Sequence, residues 1–222
     1  MKNTKLISLL KKLSSTELRR FKEYIVSPFF NKNKKVQKLG SIISEYAPEY
    51  QSEDLEKRKV FEKIYLDKQY NELQINNVIS DLLQLLYDFL AQQYFSQQKM
   101  LQKKYLLKEL MQKDAPLHFE KTMRRYRQLE AKKEQRSFEF FMEKKEFYSQ
   151  LDQYIQTKVK RQFDENLQLE SDSLDLSYFI NKLHIACNMV SRNIVINADY
   201  QCHFLGEILV FCKKHQYLET NP

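Results

Sequence analysis

The scarcity of glycine is the feature that most constrains the fold. The 222 residues include only two glycines, Gly40 and Gly206, and no Asn-Gly or Asp-Gly pair occurs. Tight turns between strands depend on such residues, because the central turn positions need a left-handed backbone. Leu, Lys, Gln and Glu, which favour helices, are abundant instead. The sequence therefore predicts an all-α fold.

Apolar residues recur at helical spacing along the chain. Ser14 and Glu17 have the spacing of a capping box, which predicts a helix that begins at Ser14 and ends before Pro28. Asn31 is predicted to cap the next helix. The strongest periodicity follows Asn71, where apolar residues line one face of a predicted helix. These residues are Ile75, Val78, Ile79, Leu82, Leu86, Phe89 and Leu90.

Helix lengths divide the chain into two predicted regions. Residues 1–95 contain five shorter helices, typical of a compact bundle. Residues 96–222 contain longer helices, which we expect to pair as antiparallel hairpins of the solenoid type, similar to tetratricopeptide repeats. The polar stretch 170–173 is predicted to connect two of these helices. The last pair is expected to turn at 193–197, although the β-branched Ile194, Val195 and Ile196 could instead extend either helix. Because the final residues have the character of an interhelical linker, we expect the chain to be the N-terminal part of a longer repeat protein.

One segment resembles a known family. It contains Leu13, Ser14, Glu17, Phe21 and Tyr24, followed by Ser27-Pro28-Phe29-Phe30-Asn31. The segment is similar to the opening of an uncharacterised bacterial all-helical family, whose members continue with a helix like residues 76–90 here and then with hairpins similar to tetratricopeptide repeats. The resemblance implies the same helical fold along the whole chain, and it implies no particular activity or ligand.

The sequence contains no motif of a common catalytic or cofactor site. Two isolated glycines cannot form a phosphate-binding loop, and neither G-x-S-x-G nor H-E-x-x-H occurs. We therefore expect no enzyme activity and no cofactor. No apolar run reaches the length of about 18 residues that a transmembrane helix needs. Three cysteines without a recognisable export signal predict reduced thiols and a cytoplasmic protein.

Cysteines and histidines cluster near the C-terminus. The pairs His184 with Cys187 and Cys212 with His215 are each three residues apart, a spacing that metal ligands on one helix share. The predicted turn would place the two pairs too far apart for a single zinc ion. A site formed by His184, Cys187, Cys202 and His203 is less strained, but the adjacent Cys202 and His203 would point to different faces of a helix. We therefore interpret all three cysteines as small core residues and expect no metal.

Basic residues are concentrated in two segments of a chain with net charge +8. Residues 1–35 contain ten Lys/Arg and two Glu, and residues 99–136 contain twelve Lys/Arg and five acidic residues. Within the second segment, six cations are candidate contacts to nucleic-acid phosphates, and Tyr126 is a candidate for stacking on a base. The six are Lys121, Arg124, Arg125, Arg127, Lys132 and Lys133. The alternative is that the basic runs are solvated helix faces, paired with Glu130 and Glu134.

Three smaller features have two interpretations each. Phe29 and Phe30 are expected to fill the core at the bend after the second helix, whereas exposed rings would mark a partner site. The first helix, predicted over residues 3–13, suits docking onto the bundle better than lying on a membrane surface. A helix-turn-helix over residues 54–90 would use the helix after Asn71 for recognition, but that helix is apolar enough to be mostly buried.

The sequence thus predicts a non-catalytic protein-interaction or scaffold module whose partner is another protein. The physical reason is that stacked hairpins present extended surfaces. The alternative is a nucleic-acid-binding regulator that uses residues 1–35 and 99–136. Binding that weakens steeply with added salt would distinguish the second function from the first.

Overall fold

The computed structural model describes residues 1–66, 68–132, 137–158 and 165–214. Within these ranges every regular element is helical, which confirms the all-α prediction. The helices are α1 (Lys5–Leu10), α2 (Ser15–Val26), α3 (Lys34–Ser44), α4 (Lys57–Ile64), α5 (Glu72–Gln97), α6 (Lys99–Gln112), α7 (Pro116–Ala131), α8 (Phe138–Lys158), α9 (Asn166–Ile196) and α10 (Leu205–Lys214), with a short 3-10 helix at Glu53–Leu55. No helix in these ranges is long and apolar enough to cross a membrane.

The chain forms two compact units, Met1–Gln97 and Gln98–Pro222. We call them the N-terminal unit and the C-terminal unit. The predicted division followed residue 95, a position inside α5. The apolar periodicity of α5 fades after Leu90, so the sequence alone did not place the end of this helix at Gln97.

Side-chain caps begin several helices of the N-terminal unit. The Ser14 amide donates to Glu17 Oε2 at 2.8 Å and the Glu17 amide donates to Ser14 Oγ at 3.3 Å, so the predicted capping box is present. Asn71 Oδ1 accepts from the Gln74 amide at the start of α5. Such contacts satisfy amides that have no partner within the helix and contribute about 1 kcal/mol each.

The predicted cap of α3 is wrong by two residues. Asn33, and not Asn31, accepts from the Lys35 amide and begins α3. Asn31 is buried, and its Nδ2 donates to the carbonyl of Ile25 at 2.8 Å while its Oδ1 accepts from the Asn33 amide at 2.9 Å. Asn31 therefore ties the last turn of α2 to the first residues of α3.

One apolar core fills the N-terminal unit, with α5 as its longest contributor. Seven buried side chains of α5 face this core. They are Ile75, Val78, Ile79, Leu82, Leu85, Leu86 and Phe89. The α1 residues Leu6, Ile7 and Leu10 are buried in the same core, so the apolar face of α1 packs inside the protein rather than facing a membrane.

The C-terminal unit contains two helix pairs, α6 with α7 and α8 with α9. Its buried cluster is rich in aromatic rings from α7 and α8. The rings are Phe119, Tyr126, Phe140, Phe141, Phe147 and Tyr148. Between the helices, Lys144 pairs with Glu130 at 3.1 Å and Lys145 pairs with Glu170 at 3.3 Å.

The connection predicted at residues 170–173 does not exist. These residues lie inside α9, where the Ser173 hydroxyl donates to the carbonyl of Leu169 at 2.6 Å and Glu170 pairs with Lys145. Polar residues suggested a loop from sequence, but Glu170, Asp172 and Ser173 each find a partner within or beside the helix. α9 begins at Asn166, before the predicted connection, and residues 159–164 lie outside the described residues.

The turn predicted at residues 193–197 also lies elsewhere. α9 continues through Ile196 and ends at Asn197, whose φ of 51° is left-handed. Asn tolerates this conformation and commonly ends helices in it. The Asn193 side chain then donates to the carbonyl of Tyr200 and accepts from its amide, both at 2.9 Å, which fixes the segment that leads to α10.

Candidate interaction surfaces

Exposed apolar side chains are concentrated at the end of α9 and on α10. Six residues between positions 190 and 210 each expose more than half of their surface. They are Val190, Ile194, Val195, Ile196, Phe204 and Val210, and we call them the α9–α10 apolar surface. The largest exposed fraction is that of Ile194, at 79%. Isolated exposed apolar residues are ordinary, but such a concentration marks an interaction site in many proteins.

Helix lengths explain why this surface is uncovered. α9 has 31 residues and its partner α8 has 21, so the C-terminal part of α9 extends beyond α8. Ala186 is the last residue of α9 that is buried. α10 turns Ile208 and Cys212 inward, and Phe211 contacts Phe179 of α9 with a ring distance of 5.2 Å. Between Ala186 and the end of α9, the side chains of Val190, Ile194, Val195 and Ile196 are exposed to solvent.

A groove between α6 and α7 concentrates positive charge. Its volume is about 300 Å³, and its lining is Lys99, Lys103, Arg125, Gln128, Leu129 and Lys132. Of the six lining residues, all of which the structure describes, four are cations and none is acidic. We call this feature the α6–α7 basic groove. Because like charges repel at close range, an anion that enters the groove lowers the energy of all four cations together.

The structure separates the six cations that the sequence proposed for nucleic-acid contact. Arg125 and Lys132 line the basic groove, and Lys121 lies one turn before Arg125 on the same side of α7. Arg124 and Arg127 lie on other sides of the helix, and Arg124 pairs with Glu120 at 3.7 Å. The sixth, Lys133, lies outside the described residues.

Sequence reasoning did not single out Lys99 and Lys103 as partners of these residues. They lie four residues apart and therefore on one face of α6. That spacing was a usable signal. The missing information was that α6 and α7 pack together with this face beside Arg125 and Lys132.

Tyr126 is not available to stack on a base. It is fully buried, its ring stacks on Phe147 at 3.9 Å, and its hydroxyl donates to the carbonyl of Glu143 at 3.4 Å. Burial, with the nearby negative charge of Glu130 second, raises the pKa of the Tyr126 hydroxyl. The prediction is wrong because Phe119, Thr122 and Tyr126 share the inward face of α7. Their helical spacing indicated a buried face, but the many arginines around Tyr126 suggested an exposed one.

The expectation that Phe29 and Phe30 fill the core is also wrong. Phe29 exposes 85% of its surface, and Phe30 is exposed as well. The ring of Phe30 stacks on Tyr24 at 4.1 Å, and Phe29 meets Phe30 edge to face at 4.9 Å. The two rings therefore form a short aromatic step outside the core, because the hydrogen bonds of Asn31 turn the chain before the rings can enter.

The cysteines do not share one environment. Cys212 is buried, Cys202 is half-buried and Cys187 is exposed, so the interpretation of all three as core residues holds only for Cys212. His184 is exposed and its Nε2 lies 3.1 Å from Asn188 Nδ2. His215 lies outside the described residues. Among the residues that the structure describes, no three possible metal ligands come together.

The first basic segment lies on the surface of the N-terminal unit. Seven cations of this segment, all of them candidates for nucleic-acid contact, are exposed: Lys11, Lys12, Arg19, Arg20, Lys32, Lys34 and Lys35. Lys35 lies over the ring of Tyr65 at 4.6 Å. The helix that a helix-turn-helix would use for recognition is the N-terminal part of α5, where Ile75, Val78 and Ile79 face the core.

No known protein family, curated protein or solved structure matches this chain. The resemblance to an uncharacterised helical family therefore stays a prediction. A functional proposal for this chain therefore depends on the α9–α10 apolar surface and the α6–α7 basic groove.

Proposed function

We propose that this protein is a non-catalytic interaction module that binds another protein through the α9–α10 apolar surface. The observation that carries the proposal is the exposure of Val190, Ile194, Val195 and Ile196 on the part of α9 that extends beyond α8. The hairpin solenoid similar to tetratricopeptide repeats, the resemblance to the helical family and the cytoplasmic location belong to the same proposal.

The energetic argument concerns how much apolar area a partner can cover. Burying roughly 500 Å² of apolar surface contributes about 12 kcal/mol before the cost of association, at about 25 cal/mol per Å². Association and side-chain ordering oppose binding by about 4–15 kcal/mol. A surface of six large apolar side chains is therefore in the range where binding becomes favourable if the partner is complementary.

The partner that suits this surface is an apolar helix of another polypeptide. The last turn of α9 presents branched aliphatic side chains, and such side chains pack against a helix as ridges into grooves. Two hydrogen bonds between Asn193 and Tyr200 hold the loop after α9 in place. The loop therefore loses little conformational entropy when a partner binds.

The test is affinity capture with paired surface variants. The first variant is Ile194→Lys with Val195→Lys, which places two charges on the α9–α10 apolar surface. The control is Leu117→Lys, because Leu117 is 80% exposed on α7 and belongs to no comparable cluster. We expect a defined protein partner that survives nuclease treatment, that binds the purified chain directly, and that is lost with the first variant only.

Two results would contradict the proposal. Equal binding by the Ile194/Val195 variant and the Leu117 variant would show that the α9–α10 apolar surface is not the contact. Bound material that disappears on nuclease treatment would favour the second candidate function.

The second candidate is binding of nucleic acid through the α6–α7 basic groove, which the convergence of Lys103, Arg125 and Lys132 favours. The test is fluorescence anisotropy with a labelled single-stranded RNA and a labelled DNA duplex at several salt concentrations. For duplex DNA, affinity should fall by about 0.9 log units per log of salt for each phosphate contacted.

Paired variants on α7 separate specific from general charge effects in this assay. Arg125→Ala with Lys132→Ala removes two cations from the groove, whereas Arg124→Ala with Arg127→Ala removes two from elsewhere on the same helix. A groove that binds phosphate predicts the larger loss for the first pair. Equal losses would mean that only overall charge attracts the nucleic acid.

A further inference from the structure

The N-terminal unit contains a cavity of about 230 Å³ that neither interaction surface uses. Apolar side chains from α1, α2, α3 and α5 form most of its wall. They are Leu10, Leu18, Phe21, Ile25, Ile43 and Leu82. An apolar cavity of about 150 Å³ is enough to hold benzene, so this one has room for a ring and a short chain.

Two cations form part of the lining on the α2 side. Arg19 and Lys22 are exposed to solvent and also line the cavity, so the cavity opens to the surface beside them. Neither forms an ion pair with a residue in the described part of the chain. An apolar pocket with two free cations at its opening is complementary to a molecule with one apolar end and one negative end.

Tyr50 supplies a third, independent observation. It lines the cavity, is 99% buried and has a left-handed backbone with a φ of 52°, which is rare for a bulky residue. Its hydroxyl makes no hydrogen bond within the described residues. The hydroxyl itself is not among the fully buried polar atoms that lack a partner, so it reaches the open space of the cavity, where an oxygen of a bound molecule can accept a hydrogen bond from it. Backbone conformations of this kind are concentrated at ligand sites.

We propose that this cavity is a binding site for a small amphipathic carboxylate, with its ring or short alkyl chain among Phe21, Ile25 and Leu82 and its carboxylate beside Arg19 and Lys22. The Tyr50 hydroxyl donates to a ligand oxygen. Gly40 belongs to the wall for a packing reason, because a Cβ there would come within 2.8 Å of the Ile25 side chain.

The probe for the test is 3-phenylpropionate, titrated into the full chain while the methyl NMR signals of Ile25, Ile43 and Leu82 are recorded. We expect saturable shifts at millimolar or lower concentration. The uncharged analogue 3-phenylpropan-1-ol has the same ring and chain, and it should bind about tenfold more weakly because it cannot pair with the cations.

Variants assign the binding to particular groups. Arg19→Ala with Lys22→Ala should weaken 3-phenylpropionate about tenfold and leave the alcohol unchanged. The matched control, Lys12→Ala with Arg20→Ala, removes the same charge from exposed positions that do not line the cavity and should leave both ligands unchanged. Tyr50→Phe should weaken the carboxylate several-fold without lowering the melting temperature of the free protein, since its hydroxyl has no partner to lose.

Three outcomes would overturn the proposal. The first is the absence of saturable methyl shifts at the solubility limit of the probe. The second is equal affinity for the carboxylate and the alcohol. The third is an equal loss with the Arg19/Lys22 variant and the Lys12/Arg20 variant, which would reduce the effect to overall charge.

Discussion

The two units of this protein are stabilised by different kinds of contact. In the N-terminal unit, aliphatic side chains dominate the core, and side chains such as Ser14, Asn33 and Asn71 cap the helices. In the C-terminal unit, aromatic rings dominate the core, α6, α7 and α9 begin without a side-chain cap, and ion pairs join neighbouring helices.

The difference extends to what each unit leaves exposed. The N-terminal unit buries the apolar faces of its helices, and its most exposed apolar residues are spread from Val26 and Phe29 through Leu66 and Leu73 to Tyr94. The C-terminal unit leaves the end of α9 and part of α10 uncovered. The comparison shows that an extended helix without a full-length neighbour leaves apolar side chains exposed, because its apolar residues continue after its partner has ended.

The largest expected effect is that of removing one core ring from each unit. Phe61 stacks on Tyr65 in the N-terminal unit, and Phe147 stacks on Tyr126 in the C-terminal unit. Both rings are fully buried, so Phe61→Ala and Phe147→Ala should each lower the free energy of unfolding by about 3–5 kcal/mol. Urea unfolding measures the loss, and amide hydrogen exchange locates it. A cost below about 1 kcal/mol for Phe147→Ala would contradict the aromatic core of the C-terminal unit.

The next effect contrasts an ion pair from each unit. Lys104 is buried and pairs with Glu146 between α6 and α8, whereas Lys57 pairs with the exposed Glu72 at 2.9 Å. Glu146→Ala leaves a buried ammonium without its partner and should cost about 2–3 kcal/mol. Glu72→Ala should cost less than about 0.5 kcal/mol. Urea unfolding at low and high salt checks both values.

A double variant distinguishes the loss of the Lys104–Glu146 charge pair from a loss of side-chain packing. Lys104→Met with Glu146→Met removes both charges and should recover most of the loss, since apolar residues can replace a buried pair. Failure of the double variant to recover stability would mean that Lys104 contributes through its alkyl chain rather than through the charge pair.

A third test concerns the segment that resembles a known family. Asn31→Ala removes two hydrogen bonds between α2 and α3 and should cost about 2 kcal/mol, because the Ile25 carbonyl loses its donor. Phe29→Ser changes an exposed ring and should shift the free energy of unfolding by less than about 0.5 kcal/mol. The opposite order of these two effects would show that Phe29 packs in the core after all.

A smaller loss of stability is expected from removing helix caps. Ser14→Ala in the N-terminal unit should cost about 1 kcal/mol. Ser137→Ala should cost less, because the Ser137 hydroxyl accepts a long bond of 3.4 Å from the Phe140 amide, whereas the Ser14 hydroxyl accepts from the Glu17 amide and also donates to the Glu17 carboxylate at 2.8 Å. Equal costs, measured by thermal unfolding, would remove the contrast in capping between the two units.

The capping box also gives a pH dependence. Hydrogen bonds from the backbone and then the side chain of Ser14 lower the pKa of Glu17 below its ordinary value. A lowered folded-state pKa stabilises the protein fully above the ordinary glutamate pKa of about 4.3, and this stabilisation is lost as the pH falls through the lowered value. Glu17→Gln should therefore be destabilising at pH 7 and neutral near pH 2, and a constant difference would contradict the assignment.

Sequence reasoning was most successful where one local rule decides the structure. Scarce glycine predicted an all-helical chain, Ser14 and Glu17 predicted the start of α2, and the apolar repeat after Asn71 predicted α5. Each of these depends on residues within a few turns of one another. Local rules failed at residues 170–173, where Glu170 finds Lys145 on another helix.

The candidate surfaces were harder to predict because they depend on which helices pack together. The sequence identified Arg125 and Lys132 but could not show that Lys99 and Lys103 lie beside them. The sequence placed Ile194 in a turn between two asparagines, although its β-branched neighbours disfavour a helix only weakly and could also extend it. Its exposure follows from the length of α9 relative to α8, which no local pattern contains.

The central claim is that the extended end of α9 contacts another protein. The most direct measurement is photo-crosslinking from a benzoylphenylalanine placed at position 194, in cells that naturally contain the protein, with position 117 on α7 as the exposed control. We predict a single crosslinked protein from position 194, absent from position 117 and lost when Val195 is replaced by Lys. The same crosslinks from both positions, or none from position 194 while position 117 yields a defined product, would contradict the account.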